Sequence, residues 1–161
     1  MPAPVINGII NFLVQKLDIN IWEGEIPRYD QNGQPIFPGT TTNPANWPIV
    51  KLTMPESGFQ REWTFLDPYD DKGTILIQIW GTTRASVEAL MNSIEAQLAQ
   101  ATNWAQIQLG GPAANPYYVI SLLLENWYCV QEEGVRTNLS TYLYRGEMKY
   151  TADIHGAIPT S

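Results

Sequence analysis

The sequence predicts an α+β domain, in which an antiparallel β-sheet carries two amphipathic helices on one face and ends in a long C-terminal β-hairpin. Three observations support this fold class. Two segments have the apolar spacing of helices, a central region alternates strand-like runs with turns, and the last third alternates apolar and polar residues. At 161 residues, the chain fits a single domain, residues 1–161, which can bury a core without disulfides or metals.

The first helix is predicted over residues 4–17. Ile6, Ile10, Leu13 and Leu17 recur at helical spacing and form one apolar stripe. Pro4 suits the first turn, because the N–H group that proline lacks would have no partner there. A short strand is expected directly after this helix, at residues 19–22.

The second helix is predicted over residues 84–99. Thr82 and Thr83 precede it and can cap its free N–H groups. Its polar face contains glutamate and asparagine residues, so we expect it to lie across a sheet face. The apolar stripe consists of Val87, Leu90, Met91, Ile94 and Leu98.

Three strands are predicted before this second helix, at residues 49–54, 59–66 and 74–80. Turn-rich stretches at residues 55–58 and 67–73 separate them, so an antiparallel meander is the simplest arrangement. Ile75, Ile77 and Ile79 alternate in the last strand and predict one buried face.

The C-terminal hairpin is predicted from a strand over residues 117–130 and a return strand that ends near Ile154. The turn is expected at Glu132, Glu133 and Gly134. On the return strand every second residue is apolar or small, which predicts one face turned to the core. This face contains Tyr142, Tyr144, Gly146, Met148, Tyr150, Ala152 and Ile154.

A long loop rich in proline, glycine and threonine is predicted over residues 24–46. It contains four prolines, three glycines and a threonine run at residues 40–42, so it cannot build a core of its own. Asn32 and Gly33 can close a small hairpin within it. Loops above about 12–15 residues are often functional, which makes this loop the first candidate interface. A tolerated insertion without a role remains the alternative.

The charge balance disfavours nucleic acids as a directly bound partner. The net charge is -7, and the nine basic residues are scattered along the chain rather than clustered. No run of about eighteen apolar residues predicts a membrane-spanning helix. The apolar stretch near the N-terminus follows no basic residue, so we expect no secretion signal and a chain that stays in the cytoplasm where it is made.

The residue types needed for catalysis or metal binding are sparse. Cys129 and His155 are the only cysteine and the only histidine, so no zinc site is expected within the chain, and a nucleophile–base pair is not expected either. Asp67, Asp70 and Asp71 lack the spacing of a calcium loop and are interpreted as a solvated turn. The sequence therefore predicts a non-catalytic protein without cofactor or metal.

Two alternatives from other functional classes remain open. A pair among Glu125, Glu132, Glu133 and Glu147 would serve a hydrolase, but only their separation would decide this. Six tryptophans and eight tyrosines suit a carbohydrate-binding module with an exposed aromatic platform. We expect these aromatic residues to belong to the core and to interfaces instead.

The segment over residues 73–100, GTILIQIWGTTRASVEALMNSIEAQLAQ, resembles the tail terminator or tail-completion proteins of long-tailed bacteriophages. In that family, a strand of alternating aliphatic residues leads through glycine, threonine or serine and arginine into an amphipathic helix. Here this pattern is matched by Ile75, Ile77, Ile79, Gly81, Thr82, Arg84, Val87 and Leu90.

The resemblance implies a structural virion protein without catalytic residues. It would form a hexameric homo-oligomeric ring at the head-proximal end of the tail, where it caps the tail tube, ends tube polymerisation and meets a head-side connector or neck protein. DNA would only pass through the lumen, and no membrane is involved. Another neck, connector or tail-tube subunit is the neighbouring alternative.

Within such a ring, two parts of the chain are expected to contact neighbouring subunits or partners. The first is the long loop with the residue that follows it, and the second is the predicted tip of the hairpin. The expected interface residues are Arg28, Tyr29, Asn32, Phe37 and Trp47 in the first part and Glu132, Glu133 and Arg136 in the second.

Overall fold

The computed structural model describes residues 3–24, 26, 31–33, 48–54, 60–62, 70–110, 116–136 and 142–155. Within these residues the chain forms three helices and six strands, an α+β fold as predicted. The elements in chain order are α1 (Ala3–Leu17), β1 (Ile21–Glu23), β2 (Ile49–Thr53), β3 (Gln60–Glu62), β4 (Asp70–Gly81), α2 (Arg84–Leu98), α3 (Ala101–Trp104), β5 (Tyr118–Arg136) and β6 (Tyr142–His155).

The first half of the sheet is built on one long strand, β4. Strand β2 pairs antiparallel with β4 from Ile49 opposite Trp80 to Thr53 opposite Leu76. Strand β3 pairs with the beginning of β4, while β6 occupies the other edge of β4 along its whole length. Strands β2 and β3 therefore lie in line along the same edge of β4. The predicted three-strand meander was wrong, because its first two strands together form one arm of a hairpin.

The second half of the sheet is the C-terminal hairpin of β5 and β6, which was predicted. The pairing is antiparallel, with register shifts after Val119, after Leu124 and after Glu132. Glu132 and Glu133 were expected in the turn, but β5 continues through both of them to Arg136. The tip of the hairpin thus lies beyond residue 136, because a local irregularity in the strand allows pairing to resume at Arg136 and Tyr142.

The strand order across the sheet is β1-β2-β4-β6-β5, with β3 beside β4. All pairs are antiparallel except β1 and β2, which run parallel with Ile21 opposite Val50. The sheet is therefore mainly antiparallel, as predicted, and the parallel pair at this edge was not expected. A parallel neighbour requires a long crossover connection, and the connection between Glu23 and Ile49 is long enough to provide it. Strands β1 and β5 are the two ends of the strand order.

One face of the sheet is covered by the helices, and the core lies between them. The predicted stripe of α2 is confirmed, since Leu90 is partly buried against the core and the other four residues are buried: Val87, Met91, Ile94 and Leu98. Helix α1 packs on α2, β1 and β2, and it contributes to the same core cluster. The three alternating isoleucines of β4 are also confirmed as buried, at 1% exposure or less: Ile75, Ile77 and Ile79.

Helix α2 approaches the sheet closely because β6 has a glycine beneath it. A β-carbon placed on Gly146 would overlap the Met91 sulfur and lie 2.8 Å from a methyl group of Val87. At its N-terminus, the predicted cap is Thr83, whose hydroxyl oxygen accepts a hydrogen bond from the Ser86 N–H group at 3.2 Å. The Thr83 cap determines where α2 begins, and Gly146 determines how closely α2 packs on the sheet.

The short helix α3 was not predicted. It is held by polar contacts rather than by an apolar stripe, because Asn103 donates to the Gln97 carbonyl oxygen at 2.9 Å and Trp104 donates to the Leu98 carbonyl oxygen at 2.7 Å. A helix of one turn has no periodicity to detect. No helix in the described part of the chain has the length and apolar character needed to cross a bilayer.

Candidate interface: the open face and outer edge of the sheet

We call the face of the sheet opposite the helices the open face. It has a network of polar side chains. Alternation along the strands puts Gln78, Arg145 and Glu147 on this face, because their sequence neighbours Ile77, Ile79 and Gly146 face the helices. Pairing with β5 adds open-face residues from that strand. The open face is therefore a sheet surface that no described helix covers.

Glu147 is the centre of this network. Its carboxylate accepts hydrogen bonds from the Tyr128 hydroxyl and, at 2.9 Å, from the Gln78 side-chain amide. The Arg145 guanidinium lies 3.5 Å from the same carboxylate. The hydrogen bond to Glu147 and partial burial both raise the pKa of Tyr128, so its hydroxyl stays protonated at neutral pH and acts as a donor.

A second carboxylate on the open face, Glu125, has its own partners. It accepts a hydrogen bond from the Thr151 hydroxyl, and its oxygen lies 3.9 Å from the Lys149 amino group. Glu125 and Glu147 were candidates for a pair that acts as acid and base. Each of the two carboxylates contacts a separate set of side chains. These contacts connect β5 to β6 on the open face.

Strand β5 has the large exposed apolar side chains of the described residues. Tyr118, Leu123 and Val130 are 47%, 59% and 36% exposed, and all three lie on β5. Each is paired with an open-face position of β6, and the Tyr118 ring stacks on His155 with ring centroids 4.8 Å apart. Sequence analysis missed this surface. The low charge of this strand could have indicated the surface, because Glu125 is the only charged residue between residues 118 and 131.

The predicted interface residues fall in two different parts of the chain. Asn32 is exposed in a turn in which Gly33 has a φ of 77°. Glu132, Glu133 and Arg136 all lie in the last residues of β5, and their backbone is described. The remaining predicted residues lie outside the described part of the chain: Arg28, Tyr29, Phe37 and Trp47.

Cys129 and His155 are far apart. In the pairing with β6, Cys129 lies opposite Gly146 and His155 lies nine residues further along that strand, a separation of about 30 Å. Burial raises the pKa of the Cys129 thiol. The two side chains therefore cannot act together as nucleophile and base.

The expected acidic turn is not a turn at Asp70 and Asp71, because β4 begins at Asp70. Asp71 is fully buried, and Asp67 lies outside the described residues. Strand pairing with both β3 and β6 extends β4 into this polar stretch despite its composition. Within the described ranges, no group of three or more histidine, cysteine, aspartate or glutamate residues could hold a metal ion.

The described tryptophans do not form an exposed platform. Trp80 is 7% exposed, and Trp22, Trp104 and Trp127 are partly buried. Trp104 and Trp127 pack against the hydrophobic core. Trp47 and Trp63 lie outside the described residues.

Arg84 connects the start of α2 with the C-terminal hairpin. Its guanidinium donates a hydrogen bond to the Cys129 carbonyl oxygen at 2.9 Å and lies 5.4 Å from the centre of the Tyr144 ring. The same group forms an ion pair with Glu88, one turn along the helix, at 3.5 Å. The arginine of the strand-to-helix pattern thus contacts both β5 and β6.

A scan of the chain against protein-family models and a search of curated proteins both found no match.

Proposed function

We propose that this chain is a structural subunit of a long-tailed bacteriophage, which forms a ring that caps the tail tube, ends its polymerisation and joins the tail to a head-side connector. The proposal depends on the segment over residues 73–100, whose sequence pattern resembles that of tail terminator proteins. A second copy of the chain, the tail tube protein and a neck protein are the proposed partners.

The observation that supports the proposal is the way this segment folds. Strand β4 is the central strand of the strand order, Gly81 ends it, Thr83 caps α2, and Arg84 connects the junction to the hairpin. Gly81, Thr83 and Arg84 therefore each have a physical task in one strand-to-helix unit, in which the observed cap is Thr83 rather than Thr82 of the pattern. Such a unit can present the rest of the sheet to neighbouring subunits in a fixed orientation.

The acidic charge suits a ring through which DNA passes. A net charge of -7 on each subunit repels phosphates, so a lumen formed by such subunits would not retain the duplex. A closed ring also requires two different contact surfaces on each subunit. The long loop, with Tyr29 and Phe37, and the end of β5 are the proposed contact regions.

The experiment adds the purified chain to tail tubes assembled from the tail tube protein of the same phage. We expect negative-stain images to show a ring-shaped cap at one end of the tubes, and we expect shorter tubes when the chain is present during polymerisation. Light scattering on the chain alone reports whether the ring also forms without a tube.

A variant with Tyr29→Ala and Phe37→Ala tests the loop as a contact region, and a Glu125→Gln variant is the control with an unchanged loop. Loss of capping only in the loop variant supports the proposed contact. A chain that leaves tube ends bare and tube lengths unchanged would refute the function. A shift of its melting temperature with an oligosaccharide would then favour the binding-module class.

A further inference from the structure

Three apolar side chains are buried on the open face, although no described element lies over them. Ile49 and Trp80 are opposite each other at 4% and 7% exposure, and Leu143, two residues before the partner of Trp80 on β6, is fully buried. Side chains within one face of a sheet have neighbours only at their sides, so their outer ends stay in water unless a second layer lies over them. The burial of these three side chains, which we call the open-face patch, therefore indicates a second layer.

The open-face patch lies at one end of the sheet, where β2 and β6 begin and β4 ends. Further along the same face, the side chains are less deeply buried: Lys51, Gln78 and Glu147. The second layer is therefore confined to the end of the sheet at which the chain enters β2.

The directions of the strands determine how the sheet looks from the side of the helices. Strands β4 and β5 are both antiparallel to β6, so they are parallel to each other, and α2 joins them on the face under the helices, the covered face. Connections between parallel strands of one sheet are almost always right-handed. Seen from the helices with β4 pointing up, β5 therefore lies on the right, and β2 and β1 lie on the left.

The same rule determines which face is crossed by the connection from β1 to β2. Both strands point opposite to β4, since β2 is antiparallel to β4 and parallel to β1. In the view from the helices, turned so that β1 points up, β2 lies to the left of β1. A right-handed connection in front of the sheet would need β2 on the right. The connection over residues 24–48 is therefore right-handed only if it passes behind the sheet, over the open face.

The chain also turns toward the open face just before β2. It bends at Pro48, and the Pro48 ring lies on the covered side, where its β-carbon is 3.9 Å from the place that a β-carbon on Gly81 would occupy. A side chain points to the convex side of a bend in an extended chain, so the residues before Pro48 leave β2 in the opposite direction. The bend and the handedness of the connection thus indicate the same face independently.

We propose that residues 34–48 of this connection are the second layer over the open-face patch, with Trp47 packed beside Ile49. The connection from Glu23 to Ile49 is about twice as long as the dozen residues or so that a crossover needs, so it can spread over the patch. Asn32 is exposed, which makes the residues after it the part that returns to the sheet. The occupant belongs to the same chain because the connection is joined covalently to the patch at Ile49, which gives it a high effective concentration there.

The composition of the connection suits this position. Residues 31–48 contain no charged side chain, and Trp47 precedes Pro48, which restricts it to an extended conformation. Apolar burial against the patch releases water, whereas a buried charge would be costly. Four prolines also restrict the free segment, so less conformational entropy is lost when it packs.

This packing does not depend on tail capping. Trp47 was predicted to contact a neighbouring subunit or partner, and the proposal assigns it to the fold of a single chain instead. Asn32 is exposed and stays available to a neighbour. A covered patch in a chain that leaves tube ends bare would refute only the capping function. A chain that caps tubes while its patch is exposed to water would refute only the packing.

The test labels the side chains of the full chain with hydroxyl radicals and identifies the labelled residues by mass spectrometry. One variant replaces residues 34–47 with glycine and serine at equal length, and a second variant is Trp47→Ser. We expect Trp80 labelling to rise at least about threefold in the first variant and less in the second, because an uncovered sheet face leaves Trp80 partly in water. Asn32→Asp is the matched control at an exposed position and should leave Trp80 labelling unchanged.

Met148 reports whether the variants are folded, since it is fully buried on the covered face. Its labelling should stay at the wild-type level while Trp80 labelling rises. If Met148 labelling also rises in the replacement variant, Trp47→Ser decides, and an unchanged ratio of Trp80 to Met148 labelling there would overturn the proposal. Unchanged Trp80 labelling in both variants would overturn it as well. Protection of Trp80 that disappears when the wild-type chain is diluted would assign the second layer to another copy instead.

Discussion

The two faces of the central sheet are built from the same strands and differ in chemistry. The open face also has three buried apolar side chains: Ile49, Trp80 and Leu143. On the covered face, Ile77 and Met148 are opposite each other and fully buried under the helices. In the next residue pair of the same two strands, Gln78 and Glu147 are opposite each other on the open face, and the Gln78 amide donates a hydrogen bond to the Glu147 carboxylate. A rotation of half a turn per residue separates the apolar core from a polar network.

This difference indicates that the two faces contribute differently to the free energy of folding. The covered face excludes water from aliphatic side chains and supplies most of the free energy of folding. The polar part of the open face supplies strand-to-strand hydrogen bonds and ion pairs of modest energy. Substitutions on the two faces should therefore differ in their effect on stability, and the following predictions test this from the largest effect to the smallest.

The largest effect is expected for Ile77→Ala, compared with its sequence neighbour on the open face, Leu76→Ala. Ile77 is fully buried, so its truncation removes buried methyl groups, leaves a cavity and should lower the free energy of unfolding by about 2–5 kcal/mol. Leu76 is only partly buried, and its truncation should cost about 1 kcal/mol. Urea unfolding followed by circular dichroism measures both. Equal losses would mean that the Leu76 side chain is packed as tightly as that of Ile77.

A smaller effect is expected for the network around Glu147. Its side chain is 17% exposed, and Glu147→Gln removes the charge that Tyr128 and Arg145 contact, which should cost about 1–2 kcal/mol. The matched control is Glu125→Gln, because that side chain is 47% exposed and its ion pair should contribute less than about 0.5 kcal/mol.

A double-mutant cycle separates the hydrogen bond from the rest of the network. Tyr128→Phe and Glu147→Gln together should cost less than the sum of the single changes, with a coupling of about 0.5–1.5 kcal/mol. Additive losses would show that the Tyr128 hydroxyl contributes nothing through Glu147. The measurement is again urea unfolding, with all four proteins in the same buffer.

The smallest effect at neutral pH, with the opposite sign, is expected for Tyr150→Phe. Tyr150 is 2% exposed on the covered face, and its hydroxyl has no hydrogen-bond partner among the described residues. Removing a buried hydroxyl without a partner should leave stability unchanged or raise it by up to about 1 kcal/mol at pH 7. A loss above about 1 kcal/mol would mean that the hydroxyl has a partner in the folded protein.

The same variant should change the response to alkaline pH. Burial raises the pKa of Tyr150 in the folded protein above the value of about 10 in the unfolded chain. The folded state then binds the proton more tightly, so this stability is fully present below pH 10 or so and is lost as the pH rises further. Tyr150→Phe should reduce that loss in unfolding measured between about pH 9 and 11, while Tyr128 still contributes its own part.

Several elements could be predicted from the sequence because their signal is local. The stripe of α2, its cap at Thr83 and the alternation along β6 each repeat over enough residues to define a helix or strand face. The position of the hairpin turn was predicted less well. Glu132 and Glu133 lie within β5 rather than in a turn, since strand pairing overrode the local turn signal.

The sequence by itself determined which residues form the two long helices and which side of each regular strand is apolar, because burial of periodic apolar residues depends only on local spacing. The tertiary structure alone decided that β2 and β3 share one edge of β4, that β1 is parallel to β2, and that β5 is the last of the described strands across the sheet. It also decided that Leu123 and Val130 share a face. These features depend on pairing between strands that are distant in the chain, and such pairing sets register through contacts that no local pattern encodes.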